Sequence, residues 1–265
     1  MENFPPQSPS LKNNEFLHVA SVSNTIGNKM LYAECLVIEL SNPDLRENAL
    51  HLLSKMTDLF RDLAPLLWNS IGTIAIFLQE IITIYPALSP ENLTPSQSTR
   101  ICNTLALLQC VASHPDTKLS FMKANIPIYL YPFLNTSNKL APFEDLRLAS
   151  LGVIAAMVKV KTKEAIGFLL ATEVMPLCLR NMEIGKELSK TVATFIVEKI
   201  LSDDDGLAYI CGTPDRFFAV GRALDRMLAS VDNQPSPRLL KLMIPCYTSL
   251  TKNVGFFKPN PTPPS

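Results

Sequence analysis

The chain has 265 residues, 47% of them apolar and only 18% charged, so it can bury a sizeable core and falls in the globular rather than the disordered class. Lys plus Arg and Asp plus Glu balance at 24 each, so no global positive field draws it onto phosphates or anionic lipid, and nucleic-acid binding is expected to be weak or absent unless cations cluster locally. With 21 Pro against 9 Gly and little strand-type alternation, the sequence predicts an all-α protein of many short helices started and stopped by Pro.

Residues 1–28 are rich in Ser, Asn and Pro and are read as a disordered arm. The opening "MENFPPQSPSLKNNEF" has no cationic start followed by an apolar run, which argues against a signal peptide. The longest apolar runs fall short of the roughly 18 to 20 residues a membrane span needs, so no membrane association is expected. Six dispersed Cys (Cys35, Cys102, Cys110, Cys178, Cys211, Cys246) form no C-x-x-C pair and read as small apolar residues of a reducing compartment, cytoplasmic or nuclear. The folded body is expected over 29–256, with 257–265 a disordered Pro-rich tail.

Within the body one pattern recurs, a basic residue opening an apolar helix: Arg46, Arg100, Arg147, Lys190 and Arg238, at spacings of 54, 47, 43 and 48. A helical period near 40 to 47 is the range of armadillo and HEAT arrays, and the 54 absorbs a longer loop around "ALSPENLTPSQS". A second register agrees, because "NIPIYLYPFL" and "EVMPLCLRNM" place Pro127 and Pro176 49 residues apart. The segments 101–112 and 148–158 are apolar nearly all round and must be covered on all sides, as the inner helices of a stacked array would be. Helix starts are expected at Asn42-Pro43-Asp44, Ser89-Pro90-Glu91 and Thr213-Pro214-Asp215, with a capping box from Thr94 to Gln97.

Candidate chemistry is sparse. In "LLQCVASHPDTK", Cys110 and His114 fall four residues apart, but no third group orients them and no oxyanion loop is visible. Pro115 should stop the helix there, leaving Cys110 in the core and the His114 ring near the carbonyl end, where a cation is weakly favoured. As zinc ligands the pair lacks two partners at plausible spacing, since His18 lies in the arm and His51 on another helix. "DDDG" at 203–206 lacks the alternating ligands of a calcium loop and reads as an inter-helix turn. Neither Gly-rich phosphate motif is present, and no cofactor or metal is expected. Trp68 reads as a packing anchor. Arg216 follows a helix start, where the dipole does nothing for a cation, so a partner carboxylate or phosphate would explain it better than helix stability.

The blocks "NPDLRENAL", "LAPLLWNSIGTIAIFLQEI", "NTLALLQCVASHPDTK", "IPIYLYPFLNT", "FEDLRLASLGVI", "ELSKTVATFIVEKIL" and "GLAYICGTPDRF" closely resemble the required-for-cell-differentiation (Rcd-one) family, over about residues 31–250. That resemblance implies an armadillo-repeat, right-handed superhelical solenoid of about five to six repeats. It also implies a non-catalytic subunit of the NOT-type mRNA deadenylase complex, which docks on the NOT scaffold and receives short peptides of RNA-binding and silencing proteins. The implied setting is the cytoplasm, including processing bodies, and the nucleus. The family's groove is lined at positions matching Asn69, Ile71, Ala75, Gly152, Val192 and Arg216. This chain departs from the usual pattern with Asn69 for His, Ile71 for Phe and Pro214 for a nearby Tyr, so peptide preference is expected to differ. The family pattern also continues into further capping helices, whereas this chain ends in "NVGFFKPNPTPPS", and an uncapped end would be covered by the scaffold or by a second copy in a homodimer. Direct binding of single-stranded nucleic acid in the groove is the alternative reading.

Overall fold

The computed structural model describes residues 30–229 and 236–252, so the expected arm at 1–28 and tail at 257–265 lie outside the described residues. Among those described there is no strand. The helices are α1 (30–39), α2 (Pro43–Ser54), α3 (Leu63–Asn69), α4 (Thr73–Thr83), α5 (Pro95–Ser113), α6 (Pro115–Lys123), α7 (Tyr131–Leu134), α8 (Ala141–Lys159), α9 (Lys163–Ala171), α10 (Val174–Ile184), α11 (Glu187–Leu201), α12 (Asp204–Cys211), α13 (Pro214–Ala229) and α14 (Pro237–Thr251). Short 3-10 turns at Tyr85–Leu88 and Ile126–Leu130 complete the path.

The punctuation is local and legible. Asn42 caps α2, its side-chain oxygen accepting from the Asp44 amide at 3.0 Å, and Thr94 and Gln97 form the reciprocal capping box that opens α5. Pro214 opens α13 as its position after Thr213 predicts. Ser89-Pro90 does not start a helix. It lies in a turn after the 3-10 segment, and the helix starts instead at Thr94-Pro95, where a capping box is available.

The five recurring basic residues fall on α2, α5, α8, α11 and α14, every third helix, and these five pack against one another in sequence, α5 against α8 most extensively. A second row runs α3, α6, α9, α12, and a third runs α4, the Ile126–Leu130 turn with α7, α10, α13. Three helices per unit in three parallel rows is an all-α helical-repeat solenoid, with α14 alone representing the fifth unit among the described residues. The corner before the third helix is left-handed in three successive units: Gly72 at φ 83°, Asn125 at φ 56° and Glu173 at φ 55°. Gly adopts this backbone freely and Asn tolerates it, whereas Glu173 does so at some cost.

One core runs through the array, from Leu36 and Leu50 through Leu105, Leu108, Leu151 and Ile154 to Val197 and Cys246. Two ion nodes are set into it. Glu80 on α4 receives Arg46 Nη1 at 3.2 Å and Arg100 Nε at 2.6 Å, tying α2, α4 and α5 together. Arg147, 0% exposed, donates to Glu144 at 2.6 Å and to the Asn138 carbonyl at 2.7 Å, while Glu144 accepts from the Lys186 amide at 2.8 Å and so reaches the start of α11. Burial pushes both carboxyls up, but the guanidinium groups outweigh it and hold Glu80 and Glu144 below the ordinary value of 4.5.

Gly206 marks the tightest approach, since a Cβ there would stand 2.1 Å from the Ile200 carbonyl oxygen. Asp203 just before it caps α12 through the amides of Asp205 and Gly206, so "DDDG" is a capped turn between α11 and α12.

Two outcomes follow for stability. Gly206→Ala should lose about 1–3 kcal/mol by overpacking against backbone, whereas Gly221→Ala, with nothing within 4 Å of its Cβ, should gain about 0.5–1 kcal/mol of helix propensity; urea melts of the two would separate them. Carboxyls whose folded values are depressed contribute stability that is full above 4.5 and lost as pH falls through the lower folded values. Glu80→Gln should therefore cost about 3 kcal/mol at neutral pH, the low end for a broken buried pair because water reaches Arg100, and should flatten the acid limb of a stability-versus-pH curve.

Candidate functional site

The segments read as apolar all round are not wholly covered. On α5 the strip Ala106, Gln109, Cys110, Ser113 and on α8 the strip Gly152, Ala155, Ala156, Lys159 repeat at i, i+3, i+4, i+7 and face a groove that Val192 and Phe195 of α11 continue. The strip is missed by a hydrophobicity reading because Ala, Cys and Gly score as apolar while being too small to fill space, so one face stays open as a trough. Its cavity measures about 640 Å³, with Thr57 and Asp58 from the segment after α2 forming one wall. Gln109 lies across Gly152, its side-chain oxygen 2.8 Å from where a Cβ would be, so the Gly keeps the trough floor low.

Of the six residues implied by the resemblance, Gly152 and Val192 line this groove together. Asn69, Ile71 and Ala75 are exposed at the corner where α3 turns by 86° into α4; Asn69 donates to the Pro65 carbonyl at 2.9 Å and Ile71 is 101% exposed. Arg216 stands at the start of α13, its guanidinium 3.8 Å from the centre of the Tyr209 ring and donating to the Tyr209 carbonyl at 3.3 Å. Tyr209 thus gives Arg216 a ring face and one acceptor within the chain, a contact that the helix dipole alone does not reveal. None of these four lines the cavity shared by Gly152 and Val192. Trp68, half-buried on α3, packs against the core as an anchor.

Cys110 and His114 also take other places than expected. The inner helix does end at Ser113, but the His114 ring caps the following helix, its Nδ1 accepting from the Asp116 amide at 3.2 Å. Cys110 is half-buried and lines the groove rather than the core interior. Burial, with the nearby Asp58 carboxylate adding to it, pushes its thiol up to about 11, the wrong direction for a nucleophile. Among the described residues no group of three or more His, Cys, Asp or Glu is arranged to hold a metal ion.

Stacked three-helix units carrying an open trough of mostly small residues define an armadillo-like helical-repeat solenoid. The chain belongs to the Rcd1-like cell differentiation family, whose description "Cell differentiation family, Rcd1-like" matches residues 36–257. It is 54% identical over 217 residues to "Cell differentiation protein rcd1" of Schizosaccharomyces pombe, covering 82% of this chain and 77% of that protein. It is 49% identical over 219 residues to "Protein CAF40" of Saccharomyces cerevisiae, covering 82% of this chain and 59% of that protein.

A thiol at about 11 is only about a thousandth ionised at pH 8, against roughly a quarter for a free cysteine. Iodoacetamide at pH 8 should accordingly alkylate Cys110 at least about tenfold more slowly than free cysteine when followed by peptide mass spectrometry, the smaller thiolate fraction being partly offset by its greater nucleophilicity; equal rates would show that Asp58 and burial do not act on it.

Proposed function

We propose that this protein is a non-catalytic adaptor of the NOT-type cytoplasmic mRNA deadenylation complex, docking on the NOT scaffold and holding short peptides of RNA-binding or silencing proteins so that their mRNAs meet the deadenylases. The observation that carries the peptide reading is the trough itself. Small side chains at Ala106, Ala155 and Ala156 let a helical backbone approach closely, while Val192 and Phe195 offer apolar contact along one side. Family membership and the identity to the two yeast proteins support the assignment to the complex. The exposed corner at Asn69, Ile71 and Ala75 offers a further docking face, where burying Ile71 would contribute about 1.5–3 kcal/mol. Such an adaptor would work in the cytoplasm, including processing bodies, and in the nucleus.

The alternative, direct binding of single-stranded nucleic acid, has less behind it. Among the described residues Phe195 is the only aromatic residue lining the α5, α8 and α11 cavity, and Lys199 lies over its ring at 5.2 Å, leaving little stacking platform.

Co-expression with a NOT-scaffold fragment should give a stable complex on size exclusion, and a pull-down from cell extract should recover scaffold and deadenylase components by mass spectrometry. Val192→Asp should leave the thermal melt within a few degrees yet lower peptide capture about tenfold or more. A folded wild-type protein that captures neither scaffold nor deadenylase would rule the adaptor reading out.

A further inference from the structure

The trough does not end at Lys159. Ser113, Ala156 and Lys159 also line an adjoining cavity of about 880 Å³ between α6 and the turn joining α8 to α9. Its character changes there. The walls are apolar, with Met122 buried beneath and Leu119 and Val160 standing 44% and 70% exposed, a combination that leaves large apolar side chains wet. Its rim is cationic. Arg61 and Lys159 are exposed, and neither makes an ion pair among the described residues. Lys118, 9% exposed, spends one donor on the Val160 carbonyl at 3.0 Å. Among the described residues Glu164 is the one acidic residue lining this cavity, and its carboxylate already acts on Lys118.

We propose that this cavity receives the acidic end of a peptide lying in the trough, with one or two Asp or Glu side chains meeting Arg61, Lys159 and Lys118 and an adjacent apolar side chain covering Leu119 and Val160. The proposal rests on the peptide-groove reading and adds polarity to it: a helix laid along α5, α8 and α11 is oriented by charge at one end. Charge complementarity selects the occupant. A neutral apolar peptide would bury Lys118 further and cover Lys159 or Arg61 without compensation, which is costly. A nucleic-acid strand would find no aromatic side chain lining this cavity to stack on, three cations rather than a track of them, and the Glu164 carboxylate against its phosphates. A peptide bearing both an apolar anchor and carboxylates satisfies both parts of the surface. The partner's charge would then set orientation and encounter rate, and the trough would supply most of the contact.

The test is a display selection of random 16-residue peptides on the full chain, followed by fluorescence polarisation of the strongest binder and of its neutral Asn/Gln analogue. The selected sequences should carry an acidic cluster at one end of an amphipathic pattern. The neutral analogue should bind about tenfold more weakly at 50 mM salt, with the gap closing as salt rises. The gap should vanish in the exposed-residue variant Arg61→Glu/Lys159→Glu, whose thermal melt confirms folding. Binders without an acidic end, or a gap unchanged in that variant, would overturn the charge polarity and leave the groove reading standing. Absence of binders, or binders indifferent to Val192→Asp, would remove the groove reading and this proposal with it. A 20-nucleotide oligo(A) that outcompetes the selected peptide and loses affinity in the double charge variant would reassign the cations to RNA and also overturn it.

Discussion

The packing of α5 against α8 is the constraint on which the rest of the molecule depends. Each is 19 residues long, and their buried positions include Leu105, Leu107, Leu108 and Val111 on one and Leu151, Val153, Ile154 and Met157 on the other. Exposing such faces would cost about 1.5–3 kcal/mol per large side chain, so neither helix is stable without neighbours on most of its circumference. Stacking in rows is the arrangement that supplies them, with α2 and α11 closing the two outer sides of the pair. The one strip left over on each helix is occupied by residues too small to need cover or, at Gln109 and Lys159, by polar ones that tolerate water. The same demand that makes the core continuous therefore leaves a continuous trough beside it, and the binding surface is a by-product of the stacking geometry.

The ion nodes answer a different need. Apolar contact between similar helices is permissive about register, and repeated units invite a slip of one unit against the next. A carboxylate taken out of water is expensive unless its partners arrive in good geometry, so Glu80 and Glu144 penalise any packing that misplaces Arg46, Arg100 or Arg147. Arg147 is the sharper case, because its Nε has no partner while its other nitrogens hold the 136–138 segment and Glu144. The two nodes act in different directions. Glu80 on α4 links to α2 and α5 and so ties one row to another, whereas Glu144 joins α8 to the amide at the start of α11 and so ties one unit to the next along a row.

Much of this architecture was legible in the sequence, and what was not has identifiable physical causes. Register could be read from Arg46, Arg100, Arg147, Lys190 and Arg238 because apolar runs are local properties, and these residues do fall on every third helix, although α5 begins at Pro95 and α8 at Ala141, more than a turn before their arginines. Their roles could not be read, since Arg147 reads as a surface start until the loop at 136–138 folds over it. Ser89-Pro90 carries the same cap chemistry as Thr94-Pro95, and only the reciprocal Gln97 tells the true start from the turn. The Tyr209 contact of Arg216 is invisible in the sequence because Tyr209, seven residues earlier, faces it only once α12 turns into α13. The trough was hidden for the opposite reason: Ala, Cys and Gly look like core residues in any hydropathy reading, and only the absence of bulk on one helical face, repeated on α5 and α8, betrays it.

A trough made of missing bulk has a consequence for how such a surface can change. Altering a conventional pocket means remodelling side chains that also hold the fold, with a packing penalty for each step. Here the floor residues carry little of the stacking energy, so Ala106, Ala155 or Ala156 can be exchanged for other small residues with little effect on the rows beneath. The rim is freer still, because Arg61 and Lys159 are exposed and stand outside both ion nodes. Stability is thus concentrated in Leu, Ile and Val on the covered faces and in the buried arginines, and recognition in small and charged residues on the open one. The two demands meet on the same helices but on different sides of them. That separation is available to a stacked array, in which every inner helix has both a covered and an uncovered face, and it lets the occupant of the trough be retuned at the rim without disturbing the core that shapes it.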